Sequence, residues 1–107
     1  MQIIPILAIP NQQLSIVLNQ VRYDITLKFI DTIMVADIDR DEVRLISGVR
    51  CLAQTTLLPY HYLSANGNFI FLSDEDSTDD IPDWQRFGVT QQLFYLSPSD
   101  INDIRNV

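Results

Sequence analysis

The sequence predicts an all-β protein, an antiparallel β-sandwich or small barrel of about seven or eight short strands. Apolar and polar residues alternate with a period of two from Tyr23 to Phe29, which is typical of a half-buried strand. Short apolar runs then recur between turn-forming residues, and no interior segment has the length and pattern of a helix connecting parallel strands. We therefore expect neighbouring strands to pair as hairpins.

Composition favours one domain, because 107 residues, 47% of them hydrophobic, are enough for a single core. A net charge of −7 argues against nucleic acid and anionic membranes as partners. The apolar start of the chain lacks a basic region and is interrupted by Pro5 and Pro10, so it is a poor signal peptide and too short to span a bilayer. The single cysteine cannot form an internal disulfide, and cytoplasmic synthesis is the default expectation.

The first strand is expected at residues 3–9, where Pro5 removes one hydrogen-bond donor. Such a strand belongs at a sheet edge or against another chain. We expect residues 1–10 to form an edge strand that serves as an assembly arm, so that its deletion harms assembly more than folding.

The first hairpin is predicted from residues 12–18 and 21–29, with Asn19 and Gln20 as its turn. Gln20 is a weaker choice than glycine for the positive φ that such a turn requires. The pairing of the two flanking strands is nevertheless expected.

The second hairpin is predicted from residues 32–38 and 43–46, joined by a polar turn at 39–42. Gly48 interrupts the second of these strands and marks a bulge or bend, after which residues 49–53 resume the strand.

A third hairpin is expected around Asn66 and Gly67, between residues 60–63 and 68–72. Residues 73–83 contain six acidic residues and predict an exposed loop. Residues 91–96 have strand composition and close the sheet. In the tail at 97–107, Ser97 is the expected N-cap of a short helix, with Pro98 at its first position.

Two acidic patterns invite a metal-binding hypothesis. Asp37, Asp39 and Asp41 reproduce the first oxygen ligands of a calcium loop, but Glu42 and Gly48 stand where that loop needs glycine and glutamate. A solvated hairpin turn is the favoured interpretation. The acidic run offers a hard cation or a basic partner as alternatives to a solvated loop, and we predict neither a metal nor a cofactor.

The sequence contains little that indicates a catalytic site. Cys51 and His61, the only residues of their types, would form a nucleophilic pair if they met, but no oxyanion turn or orienting group accompanies them. A buried thiol that packs as a small hydrophobic group is the favoured interpretation of Cys51. We expect no enzyme activity.

Aromatic residues supply candidate contacts with a partner. Trp84, followed by Arg86, either pins the acidic loop to the body or anchors a protein interface, where both residue types are enriched. Tyr60 and Tyr62 either face a partner or cover the core.

The order of segments resembles the small baseplate plug proteins of contractile-tailed bacteriophages, the cyanophage plug-like family. The blocks that carry this resemblance cover most of the chain and are IIPILAIPNQQLSIVLNQVRYDITLKF, SGVRCL, LLPYHYL, GNFIFLSD, DIPDWQRFG and LFYL. Two positions depart from the family pattern, because the first hairpin turns through Asn19 and Gln20 in place of glycine and Phe29 stands where tryptophan is often found. The tail from Ser97 onward lies outside the resemblance.

The resemblance implies a structural subunit of the virion, made in the host cytoplasm, that docks in the baseplate hub at the end of the tail tube. Its implied partners are the hub and neighbouring tail proteins, and tail symmetry makes a homo-oligomer the expectation. Strand addition by the N-terminal segment would supply backbone hydrogen bonds to a neighbour. The residues predicted at the interface are Ile3, Ile4, Ile6, Leu7, Tyr60, Tyr62, Trp84 and Arg86.

Two other functions stay open at this point. One is a standalone β-sandwich module that recognises a host protein or glycan through Trp84 and the tyrosines. The weaker one is a small hydrolase built on Cys51 and His61.

Overall fold

The computed structural model describes residues 2–52, 56–58, 67–73, 82 and 84–105 of the chain. These residues form strands, one 3₁₀ turn at Trp84–Arg86 and one C-terminal helix. In chain order the elements are β1 (Gln2–Ile4), β2 (Gln12–Leu18), β3 (Val21–Ile30), β4 (Ile33–Arg40), β5 (Val43–Arg50), β6 (Asn68–Ser73), β7 (Gln91–Leu96) and α1 (Pro98–Arg105). Among the described elements, α1 is too short and too polar to cross a membrane as a helix.

The strands form two antiparallel sheets, which confirms the predicted all-β class. The larger sheet has the order β2-β3-β4-β5 and the smaller sheet the order β1-β7-β6. The sheets meet through aromatic rings: the Tyr23 ring of β3 lies 5.3 Å from the Phe69 ring and 6.2 Å from the Tyr95 ring, between ring centroids. The architecture is a β-sandwich with its core between the sheets.

Side chains on one face of each strand form the hydrophobic core. On β3 the side chains of Tyr23, Ile25 and Leu27 point inward, as their alternation predicts. Phe71 of β6 stacks on Phe87, which follows the 3₁₀ turn, with 5.5 Å between ring centroids. This contact brings the chain beyond the acidic run into the core, because an aromatic ring buries more apolar area than most side chains.

The three hairpins of the larger sheet turn through two residues each, and none of these turns contains glycine. Their central residues, Asn19–Gln20, Asp31–Thr32 and Asp41–Glu42, all have positive φ, from 47° to 72°. This is the turn geometry that matches the right-handed twist of the strands. The predicted four-residue turn at 39–42 is wrong, because β4 continues to Arg40 and pairs with Val43 before the chain reverses.

The bulge predicted at Gly48 is present in β5. Ser47 and Gly48 together lie opposite the single residue Asp37 of β4, between the pairs Ile38 with Ile46 and Ala36 with Val49. Gly48 has a φ of +65°, and its backbone N–H donates to Asp37 Oδ1 at 2.6 Å. A side chain on the neighbouring strand therefore accepts the bond that the bulge removes from the ladder.

The N-terminal strand is shorter than residues 3–9. β1 ends at Ile4 and pairs with β7 of its own chain, at the edge of the smaller sheet. The following segment crosses to the larger sheet. The Gln12 side chain forms hydrogen bonds with the backbone of this segment: Oε1 accepts from Leu7 N at 2.9 Å and Nε2 donates to Leu7 O at 2.7 Å. Pro5 and this side-chain bonding end the strand.

Strands β6 and β7 confirm the predictions for 68–72 and 91–96, and β7 is the central strand of the smaller sheet. Helix α1 begins at Pro98 as expected: Ser97 Oγ accepts from Asp100 N at 3.2 Å, and Asp100 Oδ2 accepts from Ser97 N at 3.0 Å. The predicted strand at 60–63, the turn residue Asn66 and nearly all of the acidic run lie outside the described residues.

Candidate protein-interaction surface

The N-terminal segment alternates between core and solvent. Ile4 and Ile6 are buried and belong to the hydrophobic core, whereas Ile3 and Leu7 are 55% and 64% exposed. Ile4 and Ile6 therefore expose little surface, and their place at an interface stays a prediction. The alternation leaves Ile3 and Leu7 as the accessible members of the predicted set.

The turn after the 3₁₀ helix lies beside this segment. Arg86 O accepts from Val89 N at 3.0 Å and from Thr90 N at 3.1 Å, which closes the turn. Gly88 comes so near that a Cβ there would lie 3.6 Å from Ile6 O. Val89, the next residue, is among the most exposed apolar side chains of the described residues. The turn and the N-terminal segment thus share one surface.

Trp84 and Arg86 differ in their exposure. Trp84 is half-buried and packs against the core cluster, while Arg86 is exposed. Trp84 thus holds the chain to the body, as one of the two alternatives has it, and its role as an interface anchor stays a prediction.

A shallow cleft of about 240 Å³ opens where β1 meets this turn. Its lining is Ile3, Ile4, Pro5, Ile6, Gly88 and Gln92. In the described part of the chain no strand covers the outer edge of β1, so backbone groups of Gln2–Ile4 lie open next to an apolar cleft. Tyr60, Tyr62 and His61 lie outside the described residues.

The outer face of the larger sheet is polar and internally paired. Asp37 Oδ2 lies 2.9 Å from Lys28 Nζ and 3.7 Å from Arg44 Nη1, and Arg44 also bonds Asp39. The Lys28 ammonium, with the Gly48 N–H, holds the pKa of the Asp37 carboxyl below its usual value. The calcium-like pattern is therefore a row of ion pairs on a strand, with Asp41 in the adjoining turn.

Cys51 is buried in the core, and this burial raises the pKa of its thiol to about 12. A thiol with that pKa is almost entirely protonated at neutral pH, and the thiolate is the nucleophilic form. The geometry thus gives Cys51 the properties of a packing residue.

Several exposed apolar residues were missed by the sequence reasoning. Phe29 and Ile30 end β3 beside the turn at Asp31, and both are exposed, as are Ile9 and Val89. The detectable signal was the consecutive pair Phe29-Ile30, which breaks the alternation of β3 just before a turn. Val89 carries no comparable pattern, since only its turn makes it prominent.

Fold and surface together define a small β-sandwich with exposed apolar side chains beside an open strand edge and near its hairpin turns. Such surfaces are typical of proteins that dock onto other proteins. A model of the family described as "Cyanophage baseplate Pam3 plug gp18" matches residues 1–98. The chain belongs to this family of phage baseplate plugs, and its role is that of a structural baseplate component of the virion tail. No curated protein sequence matches the chain.

The match includes every strand of the described residues and ends at the first residue of α1. The rest of the helix lies outside the match. Association with other baseplate or tail proteins follows from the family.

Proposed function

We propose that the protein is the plug subunit that docks in the central hub of a phage baseplate, at the end of the tail tube, and acts without catalysis. The family match over residues 1–98 is the observation that carries this proposal. Cys51 is consistent with it, because a buried thiol with a pKa of about 12 makes a poor nucleophile.

The edge of β1 is the proposed place of strand addition by a hub or tail protein. Its backbone hydrogen-bonding groups are open on one side, and the exposed Ile3 lines the adjoining cleft. A strand added there would gain main-chain hydrogen bonds and would cover apolar surface. Trp84 and Arg86 are proposed as further contacts near the same turn, and Tyr60 and Tyr62 as contacts carried by the 59–66 segment.

We further propose that the protein is made in the host cytoplasm and that several copies assemble in the baseplate. Repetition around the tail axis supports more than one copy, because closed symmetric rings use the same interface repeatedly. The N-terminal arm keeps a role in this assembly, although Ile4 and Ile6 also give it a role in folding.

The test is to quantify the protein in purified virions by mass spectrometry and to compare its abundance with that of a tail-tube protein. A plug gives a fixed, low ratio that persists through density-gradient purification. Absence from particles, with the protein abundant in the infected cell, would refute the proposal.

The proposed edge is tested with Ile3→Asp, matched by Val17→Asp on the larger sheet, since the two side chains are 55% and 66% exposed. Both variants are expected to fold, because neither residue contributes much to the core. We expect Ile3→Asp to lower incorporation into virions and Val17→Asp to leave it unchanged. Equal incorporation of the two variants would argue against docking at this edge.

A further inference from the structure

Most large apolar side chains exposed by the described residues lie at one end of the sandwich. This apolar end comprises Leu7, Ile9, Phe29, Ile30, Leu52 and Val89. Val17 and Val43 lie near the other end, at the turns of the β2–β3 and β4–β5 hairpins, and Ile3 lies on the outer face of the smaller sheet. The asymmetry is unexpected for a solvated surface, where single apolar residues are normally scattered.

Hydrogen bonds and strand register show that these residues are neighbours. Asn11 Oδ1 accepts from Phe29 N at 3.0 Å, which places the segment after Ile9 beside the tip of the β3–β4 hairpin. Cys51 N donates to Met34 O at 2.9 Å, which places Leu52 next to that tip from the other side. Gln12 Nε2 donates to Ile9 O at 3.4 Å as well as to Leu7 O, so the linker is held across this end.

The smaller sheet continues the same surface. A Cβ at Gly88 would lie 3.6 Å from Ile6 O, and Val89 and Leu7 are the residues that follow these two in the chain. The opposite end carries the turns at Asn19–Gln20 and Asp41–Glu42, since Asp41 N donates to Arg22 O at 2.9 Å. Helix α1 also starts at that end, where β7 finishes. The exposed large apolar side chains of the described residues are thus concentrated at the apolar end, and the opposite end, called the polar end below, carries Val17 and Val43.

We infer that the apolar end, with Phe29 and Ile30 of the β3–β4 hairpin at its centre, docks against an apolar pocket of another baseplate protein and that basic side chains border this pocket. The inference rests on the proposed function for the class of partner. The proposed docking surface is separate from the open edge of β1 and includes Phe29, Ile30 and Leu52.

Charge distinguishes this partner from a second copy of the chain. The sequence between Ser73 and Trp84 contains six acidic residues, and the chain carries a net charge of −7. Ser73 pairs with Gln91 at the end of β7 that leads from the Gly88 turn, so the residue that precedes the acidic run lies at the apolar end. Two copies of a chain with this net charge repel each other, which opposes contact between their apolar ends.

The experiment supplies the chain in trans during infection, with an affinity tag after Val107, and measures the tagged protein in purified particles. The tag follows α1, which starts at the polar end. The test variant is Phe29→Asp with Ile30→Asp, and the matched control is Val17→Asp with Val43→Asp, which places two acidic residues at the polar end. Thermal unfolding of each purified variant checks that the sandwich is intact.

We expect the tip variant to enter particles at a level reduced on the order of tenfold or more, because large apolar residues at the centre of an interface contribute most of its affinity. The control variant should enter as the wild type does. If the tip variant does not fold, Leu52→Asp with Val89→Asp tests the same end from both of its sides.

Each alternative result has a separate meaning. Wild-type protein absent from particles refutes the proposed function and this partner with it. Wild type present together with an equally abundant tip variant refutes only the docking surface. Sedimentation of the isolated protein as an oligomer that the tip substitutions dissociate would identify a second copy as the occupant and overturn the inference. Conversion of the six acidic residues at 74–83 to amides should also lower incorporation, and an unchanged level would contradict the basic border.

Discussion

Replacing Asn68 with alanine should destabilise the sandwich more than any exposed asparagine substitution. Asn68 is buried, and its side chain makes three hydrogen bonds: Oδ1 accepts from Leu58 N at 2.9 Å and from Phe69 N at 2.8 Å, while Nδ2 donates to Leu58 O at 3.0 Å. The amide thus acts as a strand partner for the buried residue Leu58. These side-chain hydrogen bonds, together with the one that Leu57 N donates to Phe69 O, hold residues 56–58 against β6.

The expected cost follows from the groups left without partners. Alanine removes both bonds to the Leu58 backbone, and each buried group left unsatisfied costs about 1–3 kcal/mol. A total of about 3 kcal/mol lowers the melting temperature of a domain of this size by about 12 °C. Urea unfolding monitored by Trp84 fluorescence gives the free energy directly.

Asn11→Ala is the matched control. Asn11 Oδ1 accepts one hydrogen bond, from Phe29 N at 3.0 Å, and both residues are exposed, so water replaces the lost partner. We expect a cost below about 1 kcal/mol. Equal costs for the two alanine variants would refute the argument that burial of the Asn68 amide, rather than the number of asparagine contacts, sets the energy.

Asn68→Asp adds a pH-dependent check of the same contact. Aspartate keeps the two acceptor roles but at neutral pH cannot donate to Leu58 O, and burial disfavours its charge. The pKa of the new carboxyl should be raised, so the destabilisation should be largest at neutral pH and should shrink as the pH falls below that pKa. A cost independent of pH would contradict the assigned orientation of the Asn68 amide.

Three further predictions concern the backbone and the outer face. Gly67→Ala should lower the free energy of unfolding by about 3 kcal/mol or more, because φ is +121° and a Cβ would lie 2.7 Å from Leu96 O and 2.5 Å from the Tyr95 ring. Gly48→Ala should cost only about 1 kcal/mol in urea unfolding, because φ is +65° and no atom lies within 4 Å of the added Cβ. A larger cost at Gly48 than at Gly67 would be inconsistent with this packing. Thr32→Gly should stabilise the folded protein by about 0.5–1 kcal/mol, since a β-branched residue at φ of 72° is strained. The control Thr26→Gly, within β3, should destabilise it. A loss of stability at Thr32 would show that its side chain has a role in the turn. Asp37→Asn should cost about 1–2 kcal/mol at pH 7. The lowered pKa of Asp37 means that its contribution is present above the ordinary pKa of aspartate and is lost as the pH falls through the lowered value, so the difference from wild type should vanish in acid; a constant difference would exclude ionisation as its cause.

The local pattern of the sequence predicted most of the larger sheet. Alternation assigned the inward face of β3, and the length of the polar interruption at Asn19 located its turn. Gly48 predicted the bulge because a positive φ suits glycine. The turn at Asp41 was misplaced, since Asp39 and Arg40 are polar yet lie in β4, where cross-strand partners and the end of the sheet accommodate them. Pattern alone did not distinguish a polar strand end from a turn.

The N-terminal segment shows what sequence could not supply. Its residues are apolar at nearly every position, so no alternation separated Ile4 and Ile6, which enter the core, from Ile3 and Leu7, which remain exposed. The separation arises because β1 pairs with β7, about ninety residues later in the chain, a register set by tertiary packing. The consequence is that deletion of residues 1–10 should harm folding as well as assembly, contrary to the sequence-based expectation.

The identity and spacing of residues close in the chain were enough to predict the class of fold, the β2–β3 hairpin with its turn, the bulge at Gly48, the start of α1 and the family resemblance. Tertiary structure decided which apolar residues remain for a partner. The gathering of Leu7, Phe29, Leu52 and Val89 at one end depends on how two sheets pack and which connections cross between them. Long-range strand pairing fixes that arrangement, and no local pattern encodes it.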